Sequence, residues 1–213
     1  MLAPLIRKIR PKRIPFRHWT QRSAVAIISR KGPQGDEILL IERATIAGDP
    51  WSGHIAFPGG KQQTSDSSTR ATAIRETHEE IGLDLMQNAR FVGRSLDLLT
   101  RRHNALKPMI VTPYHFRLTA ESNVELNMNH EVANVFWIPL AFLQDTNNHS
   151  WLHWSPFNDS SGQRFYSTWL HRSISLQLPC YYYQGSCIWG LTYQMLSDLL
   201  NAPEISPSTP SSR

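Results

Sequence analysis

The chain has 213 residues, of which 40% are hydrophobic and 18% are charged, enough apolar material for one globular domain with an ample core. No apolar run approaches the roughly 20 residues that a membrane-spanning helix needs, and Pro4 and Arg7 interrupt the only apolar start. The two cysteines, Cys180 and Cys187, lack a metal-binding spacing and are expected to be reduced core residues. These features argue against a membrane protein, a secreted precursor and a disulfide scaffold, and they favour a cytoplasmic location.

The formal net charge of +5 is concentrated near the start of the chain. Nine Lys or Arg residues precede Asp36, the first acidic residue, while the remainder carries 13 basic and 17 acidic residues. We define residues 1–22 as a basic N-terminal arm, in which three prolines oppose one continuous helix. Three interpretations of the arm stay open: a solvated or subunit-packing segment, a flap that attracts phosphate, and an organellar presequence or nucleic-acid contact.

Two aliphatic and β-branched runs follow the arm. Segments 23–29 and 37–43 are separated by Gly and Pro residues, which predicts a β-hairpin. A loop rich in turn residues then leads into the short apolar segment 54–57. Beyond it, Gly59 and Gly60 are expected to let the backbone approach a ligand closely.

A helix is predicted to begin near residues 67–69, where Ser and Thr hydroxyls can cap the free amides, and to end at Gly82. Its hydrophobic periodicity indicates one face that packs on a sheet. The residues of this expected packing face are Ala71, Ile74, His78 and Ile81.

Glu76, Glu79 and Glu80 stand at relative positions 0, 3 and 4 of this helix, so they share one face, expected to lie opposite the packing face. Three neighbouring carboxylates repel one another, and no Lys or Arg is interleaved at those spacings. The triplet therefore calls for an external cation. Carboxylate oxygens suit a hard metal ion such as Mg²⁺ or Mn²⁺.

The remaining pattern predicts strands before, between and after two main helices, which indicates an α/β sandwich around a mixed β-sheet. We expect one domain at 23–201, followed by a disordered tail at 202–213 that is rich in Pro and Ser. The further predicted elements are strands at 91–99, 109–118 and 132–138, a helical turn at 141–144, two or three strands within 151–183, and a helix at 188–200.

The second half of the acidic stretch resembles the signature of the Nudix hydrolase family. Residues 75–83, RETHEEIGL, match that signature at every charged and Gly position, with Thr77 in the usual apolar place, and they follow the motif FPGG at 57–60. The first half departs from the signature. Asp66 stands where the family usually has Glu, and eight residues instead of seven separate it from Arg75.

Outside the signature, residues 23–200 resemble the coenzyme A diphosphatase branch of the family. The longer spacing within the signature and the C-terminal segment IWGLTYQML also look like that branch, whereas its second Arg is absent where IAGD stands at 46–49, and one extra residue precedes Gly53. The upstream matches are Leu39, Leu40, Arg43, Ala44, Gly53 and 57–60.

The resemblance implies a Nudix-type α/β/α sandwich in which water attacks a diphosphate that links a nucleoside to another group. It implies Mg²⁺ or Mn²⁺ held by Glu76, Glu79 and Glu80, with the Gly60 carbonyl also able to face the metal. Arg75 would pair with one of the glutamates and fix its orientation. For Asp66 the resemblance implies only a hydrogen-bond acceptor or a metal ligand through water.

Other candidates have functional and structural interpretations that both stay open. Glu131, six residues before Trp137, is either a further metal ligand or general base, or a surface or capping residue, with Glu125 as a lesser rival. Arg43 is a diphosphate contact or an edge-strand charge. Trp51 is a stacking surface for a base or a core residue. The basic loop Arg101, Arg102, His103 and Lys107 binds phosphate, including the 3′-phosphate of coenzyme A, or is solvated.

We therefore predict a metal-dependent hydrolase of a nucleoside-diphosphate-linked small molecule, foremost coenzyme A or acyl-coenzyme A. The alternatives are ADP-ribose or another nucleotide sugar or dinucleotide as substrate, and a non-catalytic Nudix-like module that senses a nucleotide. The expected partner is the small molecule itself, with no nucleic acid and no membrane. A monomer and a homodimer are both compatible with the sequence.

Overall fold

The computed structural model describes residues 7–9, 20–47, 51–100, 108–119, 124–154 and 176–201. Within these residues, nine strands form one sheet and three strands form a second, antiparallel sheet. The strands of the large sheet are β1 (Arg7–Ile9), β2 (Gln21–Gly32), β3 (Gly35–Arg43), β4 (Ile55–Ala56), β5 (Gly59–Lys61), β6 (Ala89–Arg94), β7 (Asp97–Thr100), β8 (Met109–Leu118) and β9 (Val132–Pro139).

Two helices lie between the strands of this sheet along the chain, and the second sheet and two further helices follow them. The second sheet comprises β10 (His149–Trp154), β11 (Leu176–Tyr183) and β12 (Ser186–Trp189). The α-helices are α1 (Thr69–Ile81), α2 (Leu85–Asn88), α3 (Leu140–Gln144) and α4 (Gly190–Leu200). None of the helices in these described segments is both long enough and apolar enough to cross a membrane.

The large sheet is mixed, as predicted. Its main path runs β1-β7-β8-β2-β3-β4, while β5 pairs with β2, β6 with β8 and β9 with β3. The β2–β8 pair is parallel, and the other pairs are antiparallel. The predicted hairpin is confirmed as β2 and β3, although β2 begins at Gln21, two residues before the predicted start.

Alternate residues of β2 and β3 enter two separate cores, as expected for a sheet covered on both faces. Ile27 and Leu40 pack with residues of α3 and α4, whereas Ile28 and Ile41 pack with residues of α1 and α2. The resulting arrangement is an α/β sandwich. It places α1 across the face of β2 and β5, and β5 is the strand that contains Gly59 and Gly60.

The predicted packing face of α1 is right for Ile74 and Ile81, which pack on the core, and wrong for His78, which is exposed. The buried side chains also include Thr72, Thr77 and Glu80. The three glutamates are therefore not all displayed opposite the sheet, because Glu80 points inward while Glu79 is exposed. Polar side chains can occupy this face because each has a partner: Thr77 donates to the Ala73 carbonyl at 2.7 Å, for example.

Several element boundaries also differ from the prediction. The strand expected at 91–99 is divided into β6 and β7, and the helix expected from Ile188 begins at Gly190, because Ile188 and Trp189 belong to β12. The helical turn at 141–144 is confirmed as α3. Within the basic arm, Arg7–Ile9 pairs with β7. The tail at 202–213 lies outside the described residues.

Candidate active site

The acidic helix α1 is fixed at both ends by the residues that the sequence indicated. Ser68 caps its N-terminus by accepting a hydrogen bond from the Ala71 amide at 3.1 Å. Gly82 ends it in a left-handed conformation with φ of 71°, and its amide donates to the His78 carbonyl. These caps determine how far the helix extends and thereby hold its glutamates in register with the neighbouring loops.

Glu80 is the most deeply buried carboxylate of the triplet, with 3% of its surface exposed. Its Oε2 accepts a hydrogen bond from the Gly59 amide at 2.9 Å. Burial, and next the negative charges of Glu76 and Glu131, raise its pKa to about 8, although the Gly59 bond and the positive charge of Arg43 act in the opposite direction. Glu80 is thus largely protonated at neutral pH, and a nearby cation would favour its ionisation.

Gly60 lies directly against the carboxylate of Glu76. A Cβ at position 60 would stand only 2.4 Å from the Glu76 Cδ, so the approach requires glycine. The pairing of β5 with β2 fixes this position, because Ala24 and Gly60 are opposed. The Gly60 carbonyl, proposed from the sequence to face a metal, accepts a hydrogen bond from the Ser23 hydroxyl at 2.6 Å.

Arg75 connects several of the acidic residues, and its predicted pairing with a glutamate of the signature is confirmed. Its Nη2 donates to Glu76 at 2.9 Å, and its Nη1 donates to Glu79 at 2.8 Å. Half of the Glu79 side chain is exposed beside Arg75, and its negative charge acts on Glu76. Burial raises the pKa of Glu76 despite its bond to Arg75.

Asp66 is the strongest partner of Arg75, a role that the sequence did not reveal. Its two oxygens accept bonds from Arg75 Nε at 2.9 Å and Nη2 at 3.0 Å, and they also accept from the Thr72 hydroxyl and the Gln63 amide, both at 2.9 Å. The Arg75 bonds hold the pKa of Asp66 well below its usual range. Asp66, which is shorter than the family's Glu and lies on a longer loop, therefore binds Arg75 directly.

Glu131 reaches the same pocket from the segment that precedes β9. That segment is tied to the end of α1 by the Asn129 amide, which donates to the Glu80 carbonyl at 2.9 Å, and the Glu131 carbonyl accepts from the Ala44 amide at 2.8 Å. The charge of Glu131 raises the pKa of both Glu76 and Glu80. Glu125 is exposed, so the structure favours Glu131 as the fourth carboxylate near the pocket.

Arg43 lies near Glu80, on which its charge acts, and the turn that contains Trp51 is bonded to the Arg43 backbone. Arg43 ends β3 opposite Val132 of β9, so it does not occupy a sheet edge, and its charge acts on Glu80. Trp51 is 40% exposed and is therefore not a core residue. The other predicted substrate contacts, Arg101, Arg102 and His103, lie outside the described residues, as does Lys107.

The site thus combines a buried acid, Glu80, with three further carboxylates, the nearby charge of Arg43 and a close glycine backbone. Within the described segments, no three His, Cys, Asp or Glu side chains are arranged so that they could hold a metal ion. The donor atoms are nevertheless hard oxygens whose mutual repulsion a divalent cation would relieve, so their chemistry fits Mg²⁺ or Mn²⁺.

Comparisons with known proteins agree with this geometry. The NUDIX domain model matches residues 20–157. A Schizosaccharomyces pombe protein is 38% identical over 109 residues, which are 50% of this chain and 32% of that protein. NudL of Photorhabdus laumondii, described as a Nudix hydrolase, is 28% identical over 195 residues, covering 92% of this chain and 90% of NudL.

A third relative is the mouse mitochondrial coenzyme A diphosphatase NUDT8, which is 29% identical over 141 residues, or 66% of this chain and 58% of NUDT8. The chain spans about a third of the length of the yeast relative and less than two thirds of the mouse relative. The domain match itself covers well over half of the chain and includes the whole acidic pocket. The chain therefore belongs to the Nudix hydrolase family.

Proposed function

We propose that the chain hydrolyses the diphosphate of coenzyme A or acyl-coenzyme A, giving 4′-phosphopantetheine, or its acyl derivative, and adenosine 3′,5′-bisphosphate. The observation that carries the proposal is Glu80, a buried carboxyl whose pKa is raised to about 8 beside two other carboxylates. Ionising a buried acid of this kind costs stability unless a cation joins it. A diphosphate bound with Mg²⁺ or Mn²⁺ supplies that cation together with the reacting group.

The residues that would hold the metal are Glu76, Glu79 and Glu80, with the Gly60 carbonyl as a further oxygen donor. Mg²⁺ or Mn²⁺ bound there would neutralise phosphate charge and acidify the attacking water. Arg75 keeps Glu76 and Glu79 oriented through its bonds to both. Arg43 places positive charge near Glu80, where it can attract the diphosphate.

The choice of coenzyme A rests on the upstream motif and on the similarity to the mouse coenzyme A diphosphatase. The test offers coenzyme A, acetyl-coenzyme A, ADP-ribose, NADH and dinucleoside polyphosphates with Mg²⁺ or Mn²⁺, and it compares kcat/KM. We expect coenzyme A and its acyl derivative to be preferred by at least about tenfold, equivalent to roughly 1.4 kcal/mol of transition-state binding. A strong preference for ADP-ribose would refute the coenzyme A assignment and leave the hydrolase intact.

Glu131 and Glu125 provide a matched comparison of two glutamates that precede β9. We expect Glu131→Gln to lower kcat by about 10² or more, a loss typical for a general base, because Glu131 faces Glu76 and Glu80. Glu125→Gln is expected to keep wild-type activity, because Glu125 is exposed. Recovery of the activity of Glu131→Gln at high Mn²⁺ would indicate that Glu131 binds metal instead of acting as the base. Wild-type rates for Glu131→Gln would exclude both roles.

The basic arm, the oligomeric state and the cytoplasmic location stay predictions. Substrate attraction by Arg101, Arg102 and His103 is likewise proposed from the sequence, because the adenosine 3′-phosphate of coenzyme A matches the geometry of arginine forks. No nucleic acid and no membrane surface are required by the proposed reaction.

A further inference from the structure

Trp51 begins a tight turn whose backbone is bonded to that of Arg43. The His54 amide donates to the Trp51 carbonyl at 3.2 Å, which closes the turn. The same turn is attached to the end of β3 on both sides: the Arg43 amide donates to the His54 carbonyl, and the Gly53 amide donates to the Arg43 carbonyl, each at 3.0 Å. The backbone of the turn therefore cannot move without displacing Arg43, whose charge acts on Glu80.

Ser52, in the same turn, also forms two hydrogen bonds to the backbone of Ile46. The Ser52 hydroxyl accepts from the Ile46 amide at 3.0 Å and donates to the Ile46 carbonyl at 2.9 Å. Ile46 and Trp51 are nonetheless 41% and 40% exposed. Two exposed apolar side chains beside backbone positions that are fixed by hydrogen bonds are suited to contact a ligand, because part of the ordering cost is already met.

The support for this turn comes from the C-terminal part of the chain, beyond the residues of the NUDIX match. The His54 ring meets the Trp51 ring nearly perpendicularly, with centroids 5.4 Å apart, and it meets the Trp189 ring at 5.0 Å. Next to Trp189, the buried Thr192 hydroxyl donates to the Ile55 carbonyl at 2.9 Å. The start of α4 and the end of β12 thus form the back of an aromatic row: Trp51, His54 and Trp189.

We propose, building on the proposed function, that this aromatic row binds the nucleobase of the substrate, with Trp51 as the stacking residue and with Trp189 and Thr192 as positioning residues. A base stacked on this indole would place the attached diphosphate near Arg43, because the turn is bonded to the Arg43 backbone. The chemistry that this platform recognises is a planar purine, because stacking depends on a flat π-face. A pantetheine arm has no such face.

The test measures binding by calorimetry without metal, using AMP, ribose 5-phosphate and 4′-phosphopantetheine as probes. We expect Trp51→Ala to raise the Kd for AMP by about tenfold or more, the usual effect of removing a stacked aromatic, and to leave the other two probes unchanged. Trp51→Phe is expected to retain most of the AMP affinity. Trp189→Ala should weaken AMP binding in the same sense, with the fold verified by circular dichroism.

Trp151 is a matched control, because it is an exposed tryptophan on β10, in the second sheet. Trp151→Ala should bind all three probes as the wild type does. Three results would each overturn the platform: no AMP binding by the wild type, unchanged AMP affinity in Trp51→Ala, or weakened binding of 4′-phosphopantetheine instead. Absence of turnover on every diphosphate would refute the proposed hydrolase while leaving the AMP titrations interpretable.

Discussion

Replacing Glu80 with Gln is expected to remove hydrolysis and, at the same time, to stabilise the metal-free protein. Activity should fall by about 10³-fold, since charge stabilisation at a phosphoryl centre is lost. Stability should rise because the buried carboxyl has a pKa of about 8 instead of its ordinary value of 4.5. Gln keeps an oxygen that can accept the Gly59 amide, so the hydrogen bond survives while the charge does not.

Whether stability rises or falls with pH depends on which state, folded or unfolded, binds the Glu80 proton more tightly. The folded protein binds the Glu80 proton more strongly than the unfolded chain does, so raising the pH from 4.5 to about 8 lowers the stability of the wild type. At pH 8 without metal, we expect Glu80→Gln to be more stable by about 2–4 kcal/mol, with a melting temperature roughly 5–10 °C higher. The advantage should vanish near pH 4.5.

Chemical and thermal denaturation in EDTA, from pH 4.5 to 8, measure this difference. The exposed Glu125, changed to Gln, is the control and should alter neither stability nor activity. Adding Mg²⁺ should stabilise the wild type more than the Glu80 variant, because a ligand that binds only the folded state raises its stability. A Glu80 variant that is less stable than the wild type at every pH would contradict the buried-acid interpretation.

The ends of α1 could be predicted from the sequence because their signals are local. Ser68 precedes the helix with a side chain suited to capping, and Gly82 supplies the left-handed residue that ends it. The hairpin of β2 and β3 was predictable for the same reason, since its turn residues and apolar runs are adjacent along the chain. Such features need no knowledge of the tertiary structure.

The inward face of α1 could not be found in this way. Hydrophobic periodicity assigned His78 to the interior and overlooked Thr72 and Glu80, because it treats polar residues as exposed. Thr72 can be buried because it donates to Asp66, and Glu80 can be buried because it accepts from the amide of Gly59, which lies on β5. Partners distant in sequence decide the burial of polar groups, and periodicity contains no information about them.

Some residues of the site could likewise be found from the sequence, whereas the contacts between them could not. The signature located the triplet and Arg75, and the resemblance brought Glu131 into consideration, but the approach of Glu131 to Glu80 depends on the backbone bonds of Asn129 and Ala44. The contact between Asp66 and Arg75 was also hidden, because the signature places Asp66 at the family's Glu position without showing which side chain it binds. An acidic residue in that loop, followed by the arginine of the signature, is the signal that could have indicated it.

Breaking the contact between Asp66 and Arg75 is expected to have the largest effect on stability. The Asp66 side chain is 5% exposed and receives a forked pair of bonds from Arg75, so Arg75→Met would leave a buried carboxylate with only neutral donors. Removing one partner of such a pair typically costs about 3–5 kcal/mol. Arg75→Lys should recover only part of this loss, because an ammonium cannot form the fork.

A double-mutant cycle with Asp66→Asn separates this contact from the other bonds of Arg75. We expect the double variant to lose less stability than the sum of the single variants, with a coupling energy of about 2 kcal/mol. Acid titration provides a second measure: since the pKa of Asp66 is depressed in the fold, the wild type's advantage over Asp66→Asn is present above about pH 4 and decreases as the pH falls below it. Lys31→Met is the control, because Lys31 and Asp36 form an exposed pair at 4.0 Å that should contribute little.

Activity distinguishes a stabilising contact from one that orients the metal-binding glutamates. Asp66→Asn retains Arg75 and its bonds to Glu76 and Glu79, so its kcat should fall by less than that of Arg75→Met once both proteins are fully folded. Equal losses of kcat in the two variants would mean that Arg75 orients the glutamates only while Asp66 holds it in place. Additive stabilities in the cycle would instead show that Arg75 and Asp66 act independently, and the longer loop of this chain would then have no compensating function.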